Sequence, residues 1–355
     1  MIKLIGITTI LFFCIGCNSE NVEITSSPSQ KSYFPPLSGT VWETKSLASL
    51  GWKQQAVSPL LDYLASKNTK AFIILVDGRI VMENYFNGHT ATANWYWASA
   101  GKTLTATLTG IAQQENLINI NDPVSKYLGP GWTSAPAAKE ILISCKNLLN
   151  MTSGIEDVAN GNSVDPISLT YKADAGTRWG YHNIFVKLQD VIAQASAQSW
   201  NTYFNTKLRD KIGMNGFWFS SENNVVYNST ARSMARFGLL MLNNGKWENT
   251  TILNELYANE STTTSQNINL SYGYLWWLNG KKSFRLPQSQ VTFQGSLIPS
   301  APSDMFMALG KNDQKIYIIP GKRMVIIRMG DAADDVNLAL SNFDTILWQK
   351  ISALY

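Results

Sequence analysis

Cysteine is nearly missing: the chain has three, Cys14, Cys17 and Cys145. The first two fall in an apolar leader and the third in "ILISCKNLL", so the sequence carries no disulfide framework and no cysteine metal cluster. Cys145 reads as a buried, inert thiol. Histidine is scarcer, with only His89 and His182. A Ser-His-Asp triad would need one of them, and "WASAG" lacks the first glycine of a G-x-S-x-G elbow. Glu156 and Asp157 are adjacent carboxylates with no His or Cys at ligand spacing, so a solvated loop is expected there and no metal. Charge is sparse, at 15% of residues, with a net charge of +4. The basic residues are scattered, which argues against nucleic acid as a partner. There is no internal repeat and no low-complexity tract.

The N-terminal apolar run is short. "LIGITTILFFCIG" (4–16) follows Lys3 and falls below the ~20 residues that span a bilayer. It ends at "CIGC", a small residue directly before Cys17. That pattern predicts a signal peptide of lipoprotein type over 1–16, with Cys17 lipidated as the mature N-terminus; an ordinary signal peptide is the alternative. Residues 17–38 are rich in Ser and Pro and read as a flexible tether. The domain is then expected to be exported to the cell envelope and held to a membrane through the lipid anchor.

From residue 39 to 355 the composition is that of one globular domain. "AFIILVDGRIVMENYF" (71–86) gives two strand-like runs around Asp77-Gly78, a hairpin signal. "QQAVSPLLDYLASKN" (54–68) and "STARSMARFGLLMLNNG" (229–245) have helical spacing, the second with a serine cap and a closing glycine. Strand character returns at 305–310, 315–321 and 323–330, and a helix is expected over 335–354. The pattern predicts an α+β fold. Its antiparallel sheet would come from about 39–98 and 287–355, with a mainly helical part over about 99–286 and a cleft between the two. The tryptophans and tyrosines, twelve and fourteen of them, suit a core and a cleft. Core packing is the default for Trp95, Trp97, Trp179, Trp276 and Trp277.

"NWYWASAGKTLTATLTG" (94–110) raises a chemical question, because Lys102 is its only charge. Ser99 lies three residues earlier, one helical turn away on the same side. Leu104, Leu108 and Ile111 mark another face. A lysine packed in such a helix must be paired or lose its charge. A serine with a neighbouring amine and helix N-terminal amides is a plausible nucleophile arrangement. A serine N-cap beside a snorkelling lysine fits the same four residues. Further on, Tyr181 and Asn183 follow "AGTRWG" and can point into one cleft.

In order along the chain, "SAGK", "ISCKNLLNMTSGI" (143–155), "AGTRWGYHN", "MARFGLLMLNNGKW", "YGYLWW" (272–277) and "ALGKNDQKIYIIPGKRMVIIRMG" resemble the serine β-lactamase and penicillin-binding-protein superfamily, in its class C-like branch of β-lactamase-related esterases, D-aminopeptidases, D,D-peptidases and amide-oligomer hydrolases. The resemblance covers about 40–350. It implies the β-lactamase/transpeptidase-like fold and a serine hydrolase that acts on an ester or amide through an acyl-enzyme, with no cofactor and a small-molecule or peptide substrate. A D,D-peptidase or β-lactamase proper is an alternative, and so is a catalytically weak penicillin-binding-like binding protein. Carried over, the family's roles make Ser99 the nucleophile, Lys102 its helper in proton removal and Tyr181 the general base and then acid. Asn183 and Lys311 would bind substrate, and the Gln314 backbone N–H would complete an oxyanion hole. A tyrosine base needs nearby positive charge, because its free pKa is ~10. Where the family has glycine, this chain has Asp313. That residue is expected to narrow the pocket, repel anionic substrates or pair with Lys311.

Overall fold

A computed structural model describes residues 32–159, 162–221, 224–334 and 342–355. The expected signal peptide, Cys17 and the first part of the expected C-terminal helix lie outside the described residues, as does most of the tether.

The expected hairpin is present. Strands β1 (Thr69–Val76) and β2 (Arg79–Tyr85) are joined by Asp77 (φ 51°) and Gly78 (φ 81°). Two left-handed residues in sequence make the tight turn whose twist matches that of the strands. Further strands, in chain order, are β3 (Trp95–Tyr96), β4 (Phe217–Ser221), β5 (Asn224–Ser229), β6 (Trp277–Leu278), β7 (Phe306–Gly310), β8 (Gln314–Ile319) and β9 (Met324–Gly330). The main sheet has the order β2-β1-β9-β8-β7-β6, and all its pairings are antiparallel. N- and C-terminal segments thus meet at its centre, with Ile73 opposite Ile327.

The longest helices among the described residues are α1 (Val57–Ser66), α2 (Lys102–Gln114), α3 (Val186–Ser196), α4 (Ala231–Leu242) and α5 (Asn342–Ser352). Helix α4 packs on β1, β8 and β9. The α5 ring of Trp348 lies 5.4 Å from Tyr317 of β8. Every residue of β7, β8 and β9 is buried, which is why these strands read as continuous apolar runs rather than as alternating ones.

The structure changes three details. Thr230, not Ser229, caps α4, accepting from the Ser233 N–H, while Ser229 ends β5 and accepts from the Trp97 indole at 2.8 Å. Strand β6 joins the main sheet from inside the stretch expected to be helical. In the same stretch β4 and β5 form a second sheet with β3, in the order β3-β5-β4.

Candidate active site

Ser99 sits in a 3-10 turn, Ala98–Gly101, that leads directly into α2. Ala98, just before it, has φ 47°. That is a left-handed conformation costly for alanine, of the kind that persists where surrounding structure holds it at functional sites. Tyr227 O anchors the start of the turn by accepting from the Trp97 N–H at 2.8 Å.

Lys102 opens α2, and every residue from Lys102 to Ala112 is buried. Its side chain is therefore almost wholly withdrawn from bulk water. Nζ lies 2.9 Å from Ser99 Oγ and 3.4 Å from Asn183 Oδ1. It also lies 4.5 Å from the Phe185 ring centre and 5.0 Å from that of Tyr181. No carboxylate pairs with it among the described residues. Burial without a counter-charge disfavours the protonated form and lowers the Lys102 pKa from 10.5 to about 7. Asn183 also reaches Asn162 O through Nδ2, at 3.4 Å, which ties the loop before it to the site.

Tyr181 is packed among Trp179, Tyr272 and Trp277, with ring centres 6.0, 6.1 and 5.7 Å away. Burial pushes its phenol up to about 12, while the neighbouring Ser99 and Trp277 side chains pull it back. The neutral phenol is therefore the resting form. Ser99, Lys102, Tyr181 and Asn183 come together as the sequence expects.

Lys311 and Gln314 behave differently. Lys311, Asn312 and Asp313 form the turn between β7 and β8. Lys311 is exposed on that turn. The Gln314 side chain clips the neighbouring strand, with Nε2 donating to Gly330 O at 2.6 Å and Oε1 accepting from Gly330 N at 3.1 Å. Across the hairpin Gln314 pairs with Gly310, and Gly310 is the residue pressed on the Ser99 turn. A Cβ there would stand 2.4 Å from Trp97 O and 3.0 Å from Ala100 N. Gly310, at the end of β7, therefore packs directly against that turn, with Gln314 beside it on β8.

Asp313 does not face the cleft. It is fully buried, with Oδ1 3.1 Å from Lys315 Nζ and Oδ2 accepting from the Ala333 N–H at 3.1 Å. Lys315 also pairs with Asp344 of α5 at 2.8 Å. Asn312 (φ 59°) and Asp313 (φ 57°) are successive left-handed residues, a conformation that Asn and Asp tolerate better than other side-chain-bearing residues. Aspartate thus meets the backbone demand that glycine would meet, and sends its carboxylate inward. The expected narrowing of the pocket, repulsion of anions and pairing with Lys311 are not seen.

Other sequence expectations divide. Trp97, Trp179, Trp276 and Trp277 are buried, yet the Trp277 ring packs beside that of Tyr181, with centres 5.7 Å apart. The doublet in "YGYLWW" was the available signal, but core packing outweighs it in a sequence. Phe185, which helps to desolvate Lys102, carried no signal. Asp157 is buried rather than solvated and pairs with Arg178 at 2.6 Å. His182 is buried, and its pKa falls to about 3 through loss of solvation, so it stays neutral beside the site. Cys145 is buried and its thiol is pushed up to about 12, which leaves it unreactive. Among the described residues no group of three or more His, Cys, Asp or Glu side chains could hold a metal.

Fold and site define a serine hydrolase of the β-lactamase and penicillin-binding-protein superfamily. Residues 66–330 match the Beta-lactamase family model, and the chain belongs to that family. Among solved structures, one described as a 6-aminohexanoate-dimer hydrolase from Bacillus anthracis has a TM-score of 0.68 at 21% identity, over 88% of this chain and 87% of that one. A penicillin-binding-protein homolog from Caulobacter crescentus gives 0.66 at 9% identity, over 85% and 97%. An uncharacterized protein of Alkalihalophilus pseudofirmus is 24% identical over 295 residues, 72% of this chain and 81% of the relative.

Proposed function

We propose that the protein hydrolyses esters or amides through an acyl-enzyme on Ser99. The observation that carries this reading is the 2.9 Å contact between Ser99 Oγ and a buried Lys102 whose pKa falls to about 7. A neutral amine at that distance is a general base poised near the working pH. Lys102 Nζ takes the Ser99 proton as Oγ attacks the carbonyl carbon. The backbone N–H of Ser99 serves as donor to the developing oxyanion. Tyr181 gives its proton to the leaving oxygen or nitrogen as that bond breaks, and the Lys102 ammonium restores it. Lys102 then takes a proton from the water that attacks the acyl-Ser99 carbonyl and returns it to Ser99 Oγ as the free acid leaves.

This assignment differs from the one carried over from the family. Tyr181, with its pKa raised to about 12, serves as acid, and Lys102 serves as base. The inward turn of Asp313 removes the reason for expecting a catalytically weak binding protein. We also propose that the chain is exported and anchored at Cys17, on the strength of the apolar run that ends in "CIGC".

A panel of 4-nitrophenyl esters, nitrocefin and D-alanyl peptides tests the reading. Turnover of at least one ester or amide is expected, with loss in Ser99→Ala. Equal turnover by the wild type and Ser99→Ala would contradict it.

A further inference from the structure

Two fastenings join the segment before Ser99 to the main sheet. Trp95 Nε1 donates to Gly330 O at 3.1 Å, the same carbonyl that Gln314 Nε2 holds from β8. Tyr96 stacks on Trp95, with ring centres 5.4 Å apart, and its hydroxyl accepts from Asn312 Nδ2 at 2.7 Å. Tyr96 stands three residues before Ser99, and Asn312 two residues after Gly310. The Tyr96–Asn312 clasp therefore closes beside the contact of Gly310 with the Ser99 turn.

Each partner is held from behind. On β3, Tyr96 pairs with Asn228 of β5. Asn312 is fixed by its left-handed backbone, φ 59°, and by Arg328, whose Nη1 donates to Asn312 O at 2.8 Å. Gln314 Nε2 reaches the same carbonyl at 3.0 Å. At Gly310, backbone meets backbone, since a Cβ there would stand 2.4 Å from Trp97 O. A steric contact of that kind limits how near the turn and the strand can come, not how far apart they can move. A hydrogen bond, with its narrow range of length and angle, limits the second.

We propose that Tyr96 and Asn312 are positioning residues for acylation. Their hydrogen bond holds the Ser99 turn at a fixed distance from the end of β7, so that the Ser99 N–H stands where the oxyanion forms. The proposal rests on the acyl-enzyme reading above. As Ser99 Oγ bonds to the carbonyl carbon, its proton passes to Lys102. The C=O electron pair moves onto oxygen, which accepts from the Ser99 N–H. Neither Tyr96 nor Asn312 takes part in that exchange. A displaced donor still meets the ground-state carbonyl, but it stabilises the tetrahedral oxyanion less.

Tyr96→Phe removes one oxygen and leaves the ring on Trp95. Asn312→Gly removes the amide and keeps the left-handed backbone. On a 4-nitrophenyl ester, each should lower kcat about tenfold with KM little changed, short of the ~100-fold that a 1 Å misplacement can cost. The double variant should lose no more than either single one, because both remove the same bond. A boronic acid, which forms a tetrahedral adduct on a nucleophilic serine, should bind more weakly by the same factor in all three. A hydrogen bond that served stability alone would lower the melting temperature and leave kcat and boronate affinity unchanged well below it. That result, or losses that multiply in the double variant, would overturn the proposal. If the unmodified protein turns over no ester and takes no boronate, the acyl-enzyme reading fails and the proposal with it, a result distinct from equal rates in wild type and variants.

Discussion

Lys102 sets the terms at the scale of single residues. A lysine buried against Phe185 and Tyr181 lowers stability in return for a base that is neutral near pH 7. The sign follows from where the protons sit. In the unfolded chain Lys102 keeps its charge up to about 10.5, whereas in the folded protein it loses that charge above about 7. Below about 7 both states are charged and the folded one carries the full desolvation penalty. Between the two values the unfolded state binds the extra proton, so the penalty shrinks as pH rises. Lys102→Met should therefore raise the melting temperature, more at pH 6 than at pH 9, and abolish esterase activity. Thermal unfolding at the two pH values checks this. A lower melting temperature in the variant would mean that the Ser99 and Asn183 contacts outweigh burial. The sequence pointed to this residue because one charge stood in an apolar helix. It could not supply the partners that desolvate it, since Phe185 lies 83 positions further along the chain.

Among elements, the β7–β8 turn shows how a motif can match while its geometry differs. The order "ALGKNDQ" placed the hairpin correctly, because strand runs and turn residues are local signals. Side-chain direction in the turn is not local. It depends on two successive left-handed residues, on Lys315 one position beyond Gln314, and on Asp344 from α5. The Arg328 guanidinium adds hydrogen bonds to Asn312 O at 2.8 Å and Asp313 O at 3.1 Å, so the turn is held from within the fold. Asp313→Gly keeps the backbone conformation and removes one carboxylate from this cluster. Relative kcat/KM values for anionic and neutral substrates should not change, while the melting temperature should drop, because breaking a buried ion pair costs about 3–5 kcal/mol. A selective gain on anionic substrates would return Asp313 to the cleft.

In the molecule as a whole, the site depends on segments far apart in sequence. The Ser99 turn, the Tyr181–Asn183 loop, the Trp277 strand and the end of β7 converge where the main sheet meets the region between its halves. The α+β architecture was legible because the N-terminal hairpin and C-terminal strands are continuous apolar runs bounded by turn residues. The small β3-β5-β4 sheet was not legible, since β3 is two residues long and finds its partner more than 120 positions away, with Trp95 opposite Ser229. Convergence makes one quantity decisive, the reactivity of Ser99 as Lys102 titrates. It can be read as the rate at which a fluorophosphonate adds to the folded protein, followed by intact mass across pH. The expected result is one adduct on Ser99, absent in Ser99→Ala, forming at a rate that climbs with pH to a plateau with a midpoint at about 7. Correctly folded protein that takes no adduct, or an adduct whose rate ignores pH between about 5 and 9, would contradict a neutral Lys102 acting as the base for Ser99.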